Sequence, residues 1–149
     1  MMRGKIILVM MIALLMLMSG MTVYADSFTN KKNFSNIKLP HNHANVTAAT
    51  KTKTTNRTYG QTKITKISPS SDGVNCWFRS KASSEASYDS LESMLVSFKT
   101  PGTKKMYYVN SSTGYQIPHN KGAIAQLRME NKTLTQFVRD KVSGSCWFN

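Results

Sequence analysis

The chain contains one triplet twice, as Cys76-Trp77-Phe78 and as Cys146-Trp147-Phe148, and the two copies hold both of its cysteines and both of its tryptophans. Bulky apolar and aromatic side chains of this kind favour β-strands. Each triplet therefore predicts a strand of the core, one in the middle of the chain and one at its end.

Side chains alternate between the two sides of a strand. In the first triplet strand Val74, Cys76 and Phe78 are expected to face inward, whereas Trp77 and Arg79 face outward. The second triplet repeats this arrangement, so its tryptophan is also expected on the outside. Two inward cysteines in one core predict a disulfide, which would stabilise the fold by about 4 kcal/mol at most. The alternatives are two separate buried thiols or a metal site, and two cysteines alone lack the usual four ligands.

Residues 1–25 have the three parts of a secretory signal. Arg3 and Lys5 precede an apolar run over residues 6–18, and a small-residue cleavage site follows at residues 23–25. The alternative is a membrane anchor, but thirteen apolar residues are few beside the ~20 of a spanning helix. We therefore expect export and cleavage, with a mature chain of about 124 residues in one domain, and a secreted or envelope-associated location. In such a compartment cysteines are permitted to pair.

The mature chain would be strongly basic. Without Arg3 and Lys5 it has 18 Lys and Arg against 7 Asp and Glu, a net charge of +11. This excess favours polyanionic partners such as phosphate-rich wall polymers, glycans or anionic membrane surfaces, although it can also serve solubility alone. Nucleic acid is not expected, because the chain has no recognised binding motif.

Residues 26–45 are interpreted as an extended N-terminal arm and residues 46–149 as the folded domain. Within the domain, residues 46–68 alternate Thr with Lys, which predicts a strand with a solvated or ligand-binding surface. The candidate binding residues are the outward tryptophans, one neighbouring arginine and the cations of this basic segment: Trp77, Trp147, Arg79, Lys51, Lys53, Arg57, Lys63 and Lys66.

Further strands follow from turn signals and alternation. A hairpin is expected from residues 94–99 and 104–109 around Pro101-Gly102. Residues 123–130 alternate most clearly, and strands are also expected at 133–138 and 142–148, whereas 81–93 could hold one helical turn. Together these elements predict an all-β, two-layer antiparallel sandwich of about seven or eight short strands, acting as a monomer.

The stretch 122–131, Gly-Ala-Ile-Ala-Gln-Leu-Arg-Met-Glu-Asn, followed by Val142-Ser-Gly-Ser-Cys-Trp147, resembles a family of small exported proteins of Gram-positive bacteria whose function is unknown. Members similarly show a Leu-Arg-x-Glu-Asn strand and a closing Val-Ser-Gly-x-Trp strand. The resemblance implies export and a compact β domain, and it supplies no catalytic residues. The cysteine pair is a departure from the family pattern.

Catalysis is not expected, because neither a Gly-x-Ser-x-Gly nor a His-Glu-x-x-His motif is present. His41, His43 and His119 are interpreted as loop residues, so no metal or cofactor is predicted. The sequence thus favours a non-catalytic binding module for anionic envelope polymers or glycans. The alternative is a secreted antimicrobial, bacteriocin-like or toxin-like effector, which the same export signal and charge would suit.

Overall fold

A computed structural model describes residues 28, 30–41, 44–69, 73–81, 91–110, 113–116, 120–133 and 139–149. The predicted signal at 1–25, His43, His119, most of the helical turn expected within 81–93 and most of the strand expected at 133–138 lie outside these residues. In the described part there is no helix long and apolar enough to cross a membrane.

Nine strands make up the described fold, in chain order and with these bounds: β1 Lys31–Lys38, β2 Val46–Thr52, β3 Tyr59–Ser68, β4 Val74–Lys81, β5 Leu91–Ser93, β6 Val96–Phe98, β7 Gly102–Val109, β8 Ile124–Asn131 and β9 Lys141–Trp147. All strand pairs are antiparallel. The all-β prediction is therefore confirmed.

The strands form one sheet in the order β1-β9-β3-β7-β5-β4-β8-β2, and β6 also pairs with β4. The first and last strands of this order, β1 and β2, approach each other. Asn30, just before β1, shows this approach: its side chain donates to the carbonyl of Thr52 at the end of β2 at 2.6 Å and to the Phe148 carbonyl at 2.8 Å. The sheet is therefore nearly barrel-shaped. The predicted division into two separate layers is not confirmed.

The core lies inside this barrel, and both triplets contribute to it as alternation predicts. Cys76, Phe78, Cys146 and Phe148 are all completely buried, whereas Trp77 and Trp147 are only half-buried. On β8 the inward face that the sequence predicts is also buried. Strand alternation was sufficient to predict which side chains face inward, because each of these strands has one side in the core.

Both cysteines are free thiols in the structure, so the predicted disulfide is not confirmed. Burial raises the pKa of the Cys76 thiol, and the nearby Cys146 raises it further. Burial also raises the pKa of Cys146, against the opposing effect of Lys32 and Lys51. Burial in the barrel therefore keeps both thiols in the protonated form.

The predicted hairpin of residues 94–99 and 104–109 is wrong in its pairing. β6 pairs with β4, and β7 pairs with β3 and β5. The pairing with β4 sets Phe98 opposite Val74, where Phe98 is only 2% exposed. An isolated hairpin would leave that ring in water, so burial of an aromatic side chain overrides the local turn signal.

Candidate functional site

Four outward residues form one row across β1, β9, β3 and β7. Trp147 pairs with Lys31 on one side and with Gln61 on the other, and Gln61 pairs with Lys105. Residues that are directly opposite in a sheet project from the same face and contact one another. The outward tryptophan of the second triplet therefore lies between lysines of two different strands.

A group of aromatic rings adjoins this row. The Phe28 ring lies edge-on to both Tyr59 and Trp147, with ring centroids 6.1 Å apart in each pair. Tyr59 in turn lies 5.7 Å from Tyr107, its partner in the β3–β7 pairing. These spacings are typical of interacting aromatic pairs, so the four rings form one continuous surface.

Cations lie over these rings. The ammonium of Lys31 is 5.5 Å from the centroid of Trp147, and that of Lys105 is 4.7 Å from the centroid of Tyr59. Arg57 donates from Nη1 to the Tyr59 hydroxyl at 3.0 Å. Cation-π contact of this kind holds a positive charge at a ring face.

We call this surface the aromatic-basic face, and its residues are Phe28, Lys31, Arg57, Tyr59, Lys105, Tyr107 and Trp147. The three acidic residues within the described ranges lie elsewhere. Glu130 is on β8, Glu92 is on β5, and Asp140 is buried just before β9. None of these three residues is a member of the face, and Glu92 comes nearest in the pairing, opposite Val109, one outward position beyond Tyr107.

Trp77 and Arg79 do not belong to this face. β4 is four strands away from β9 in the sheet order, so its outward side chains leave the opposite side of the barrel. Trp77 is paired there with Arg128, and Arg79 donates to the Gln126 side chain at 3.1 Å. The two tryptophans share a sequence motif and lie at separate surfaces.

The cations of the predicted basic segment are dispersed. Lys51 is half-buried at the junction of the sheet ends, where its ammonium donates to the Lys31 carbonyl at 3.1 Å. Lys63 and Lys66 are exposed on β3, and Lys63 lies one outward position beyond Gln61. Of this segment, Arg57 belongs to the aromatic-basic face, and Lys63 borders it.

Lys53 is the clear exception to the predicted surface charge, because it is 1% exposed. Lys51 and Lys53 share the inward side of their segment with the buried Ala49, so the threonines between them take the solvent side. The Lys53 ammonium lies 4.5 Å from the centroid of Tyr108 and donates to the Arg57 carbonyl at 3.4 Å. Removal from water lowers its pKa from 10.5 to about 8.

Lys53→Met is expected to change how stability depends on pH. Below pH 8 the lysine is charged in both the folded and the unfolded state, so burial of its charge lowers the free energy of unfolding by the full amount. Above that pH the folded protein releases a proton that the unfolded chain retains, and the free energy of unfolding rises with pH. From pH 7 to about pH 9 the wild type should gain about 1 kcal/mol that the variant does not gain.

Urea unfolding of both proteins at the two pH values measures this difference. The buried thiols have raised pKa values and lower the stability of both proteins from about pH 8 upward, so their effect cancels in the difference between wild type and variant. Equal pH dependence in wild type and variant would show that Lys53 does not titrate in this range.

No pattern in the sequence indicated Phe28, Lys31 or Lys105 as site residues. Phe28 and Lys31 lie in the segment interpreted as an arm, whose β1 portion is a strand of the sheet paired with β9. Tyr107 shows a local signal, since two adjacent tyrosines in a strand must face opposite sides. The grouping itself depends on the register of four strands that are distant in sequence.

No cluster of three His, Cys, Asp or Glu side chains able to hold a metal ion occurs among the residues described. Aromatic rings beside ammonium groups are suited to stacking against apolar faces and to holding anions. Comparison with protein-family models, with curated proteins and with solved structures finds no match to this chain.

Proposed function

We propose that the protein is an exported, non-catalytic and monomeric binding module for anionic glycan polymers of a cell envelope. The observation that carries the proposal is the row in which Lys31, Trp147, Gln61 and Lys105 lie side by side next to three further rings. The apolar face of a sugar ring stacks on the outward, half-buried aromatic surface, and the flanking ammonium groups hold phosphate or carboxylate groups of the polymer.

Export is the second part of the proposal. It is supported by the signal-like residues 1–25 and by the resemblance of the C-terminal third to exported proteins of Gram-positive bacteria. A net charge of +11 after cleavage suits a surface rich in polyanions, because it raises the local concentration of the protein there.

We further propose that the nearly closed barrel behaves as two facing layers joined by a disulfide in the exported protein. The Phe78 ring of β4 lies 5.2 Å in centroid distance from the ring of Phe148, which follows β9, and this supports close packing of opposite walls. Cys146 lies near enough to Cys76 to affect its pKa. Pairing would release two protons and pass two electrons to an extracytoplasmic disulfide oxidant.

Mass spectrometry of the exported protein without reductant is expected to show the loss of two hydrogen atoms relative to the reduced sample. Because the closed barrel keeps both thiols protonated, the bond should form before folding is complete. An intact mass with two free thiols would contradict the disulfide.

Sedimentation with purified Gram-positive cell walls tests the proposed function. The protein is expected to bind intact walls and to bind poorly to walls stripped of their anionic polymers. Salt should release it steeply between about 0.05 and 0.5 M, because exposed charges are screened within this range. Equal binding to intact and stripped walls would contradict the proposal. Inhibition of bacterial growth without wall retention would favour the effector instead.

A further inference from the structure

A separate basic cavity lies at the turn between β6 and β7. Its volume is about 430 Å³, and residues 97–104 form most of its wall while Lys132, which follows β8, closes another side. None of these residues belongs to the aromatic-basic face. The cavity is therefore separate from the surface proposed to bind glycans.

Three lysines line the cavity: Lys99, Lys104 and Lys132. The ammonium of Lys104 is fixed, because it donates to the Ser97 carbonyl at 2.6 Å and lies 5.3 Å from the centroid of Phe98. The backbone of Lys132 is also fixed, since its amide donates to the Gly73 carbonyl at 3.1 Å. The ammonium of Lys104 and the backbone of Lys132 are thus both held in place.

The remaining lining is suited to an anion. Thr100 and Thr103 bring hydroxyl groups, whereas the Ser97 hydroxyl donates to the Asn75 side chain at 2.7 Å. Among the residues that the structure describes, no Asp or Glu is part of the lining. Like charges close together repel one another unless a counter-charge lies between them. An anion in the cavity would supply that counter-charge, and the hydroxyl groups would donate hydrogen bonds to its remaining oxygens.

We infer that this cavity binds a phosphate group. A phosphate offers several charged oxygens to ammonium groups that approach from different sides, whereas a carboxylate offers two in one plane. The volume is within the range of about 300–1,000 Å³ that is usual for small-molecule sites. It leaves room for a small polar unit that carries the phosphate as an ester.

NMR titration of the purified protein with inorganic phosphate, at constant ionic strength maintained with chloride, tests the inference. Backbone amides of residues 97–104 and 132 are expected to shift in a saturable manner. Lys132→Gln should weaken binding by about fivefold, through the loss of one nearby charge. Lys99→Gln, at an exposed position of the turn, should also weaken it.

Lys121→Gln is the matched control, because Lys121 is an exposed lysine outside the cavity and its replacement removes the same charge. It should leave phosphate affinity unchanged. Equal weakening by Lys121→Gln and Lys132→Gln would overturn the inference in favour of diffuse attraction, and so would shifts confined to residues outside the cavity. A parallel titration with glycerol phosphate distinguishes the source: tighter binding than inorganic phosphate identifies an ester as the ligand, and equal binding identifies free phosphate.

Discussion

Phe78→Ala is expected to lower the free energy of unfolding by about 3–5 kcal/mol, the usual cost of removing a buried aromatic ring. Phe78 is completely buried at the centre of the barrel, 5.2 Å from the Phe148 ring. It also packs directly on Gly60 of β3, where any added β-carbon would collide with the ring. The ring joins β4 to strands on the other wall, so the cavity left by alanine cannot be filled by a small local shift.

Urea unfolding measures this loss, and Trp77→Ala is the matched control. Trp77 is the preceding residue of the same strand and has a larger side chain, but it is half-buried and faces outward. Trp77→Ala should therefore lower the free energy of unfolding clearly less than Phe78→Ala does. If Trp77→Ala destabilised the protein as much as Phe78→Ala, the assignment of inward and outward sides in β4 would be wrong.

The inner surface of the barrel was largely predictable from sequence. Alternation in β4 and β9 identified Val74, Cys76, Phe78 and Cys146 as inward, because one-sided burial imposes a period of two residues. Such a pattern is local and can be read from a single strand.

The predictions for Lys53 and for the hairpin were wrong because both depend on interactions between residues that are distant in sequence. The inward position of Lys53 depends on its pairing beside β8, where its amide donates to the Ala123 carbonyl at 2.8 Å. Similarly, Phe98 pairs with β4 although the turn after it favours a hairpin with β7. The aromatic-basic face needs the register of four strands at once, and alternation alone does not give that register.

Trp147→Ala is expected to weaken wall binding by about tenfold or more, because binding energy concentrates in central aromatic anchors. Trp147 lies between Lys31 and Gln61 and contacts the Phe28 ring, so its loss removes the centre of the row. Lys105→Gln is a second variant that keeps all the rings and should weaken binding less. Stability of each variant is measured alongside, so that unfolding is not mistaken for lost binding.

The most direct test compares the affinities of Trp147→Ala and Trp77→Ala for purified, intact cell walls. Both variants remove a half-buried, outward tryptophan from the same Cys-Trp-Phe motif, and they differ in the face that they alter. Binding should be weakened by about tenfold in Trp147→Ala and should remain close to the wild type in Trp77→Ala. Equal loss in both variants, or a larger loss in Trp77→Ala, would contradict the assignment of binding to the aromatic-basic face.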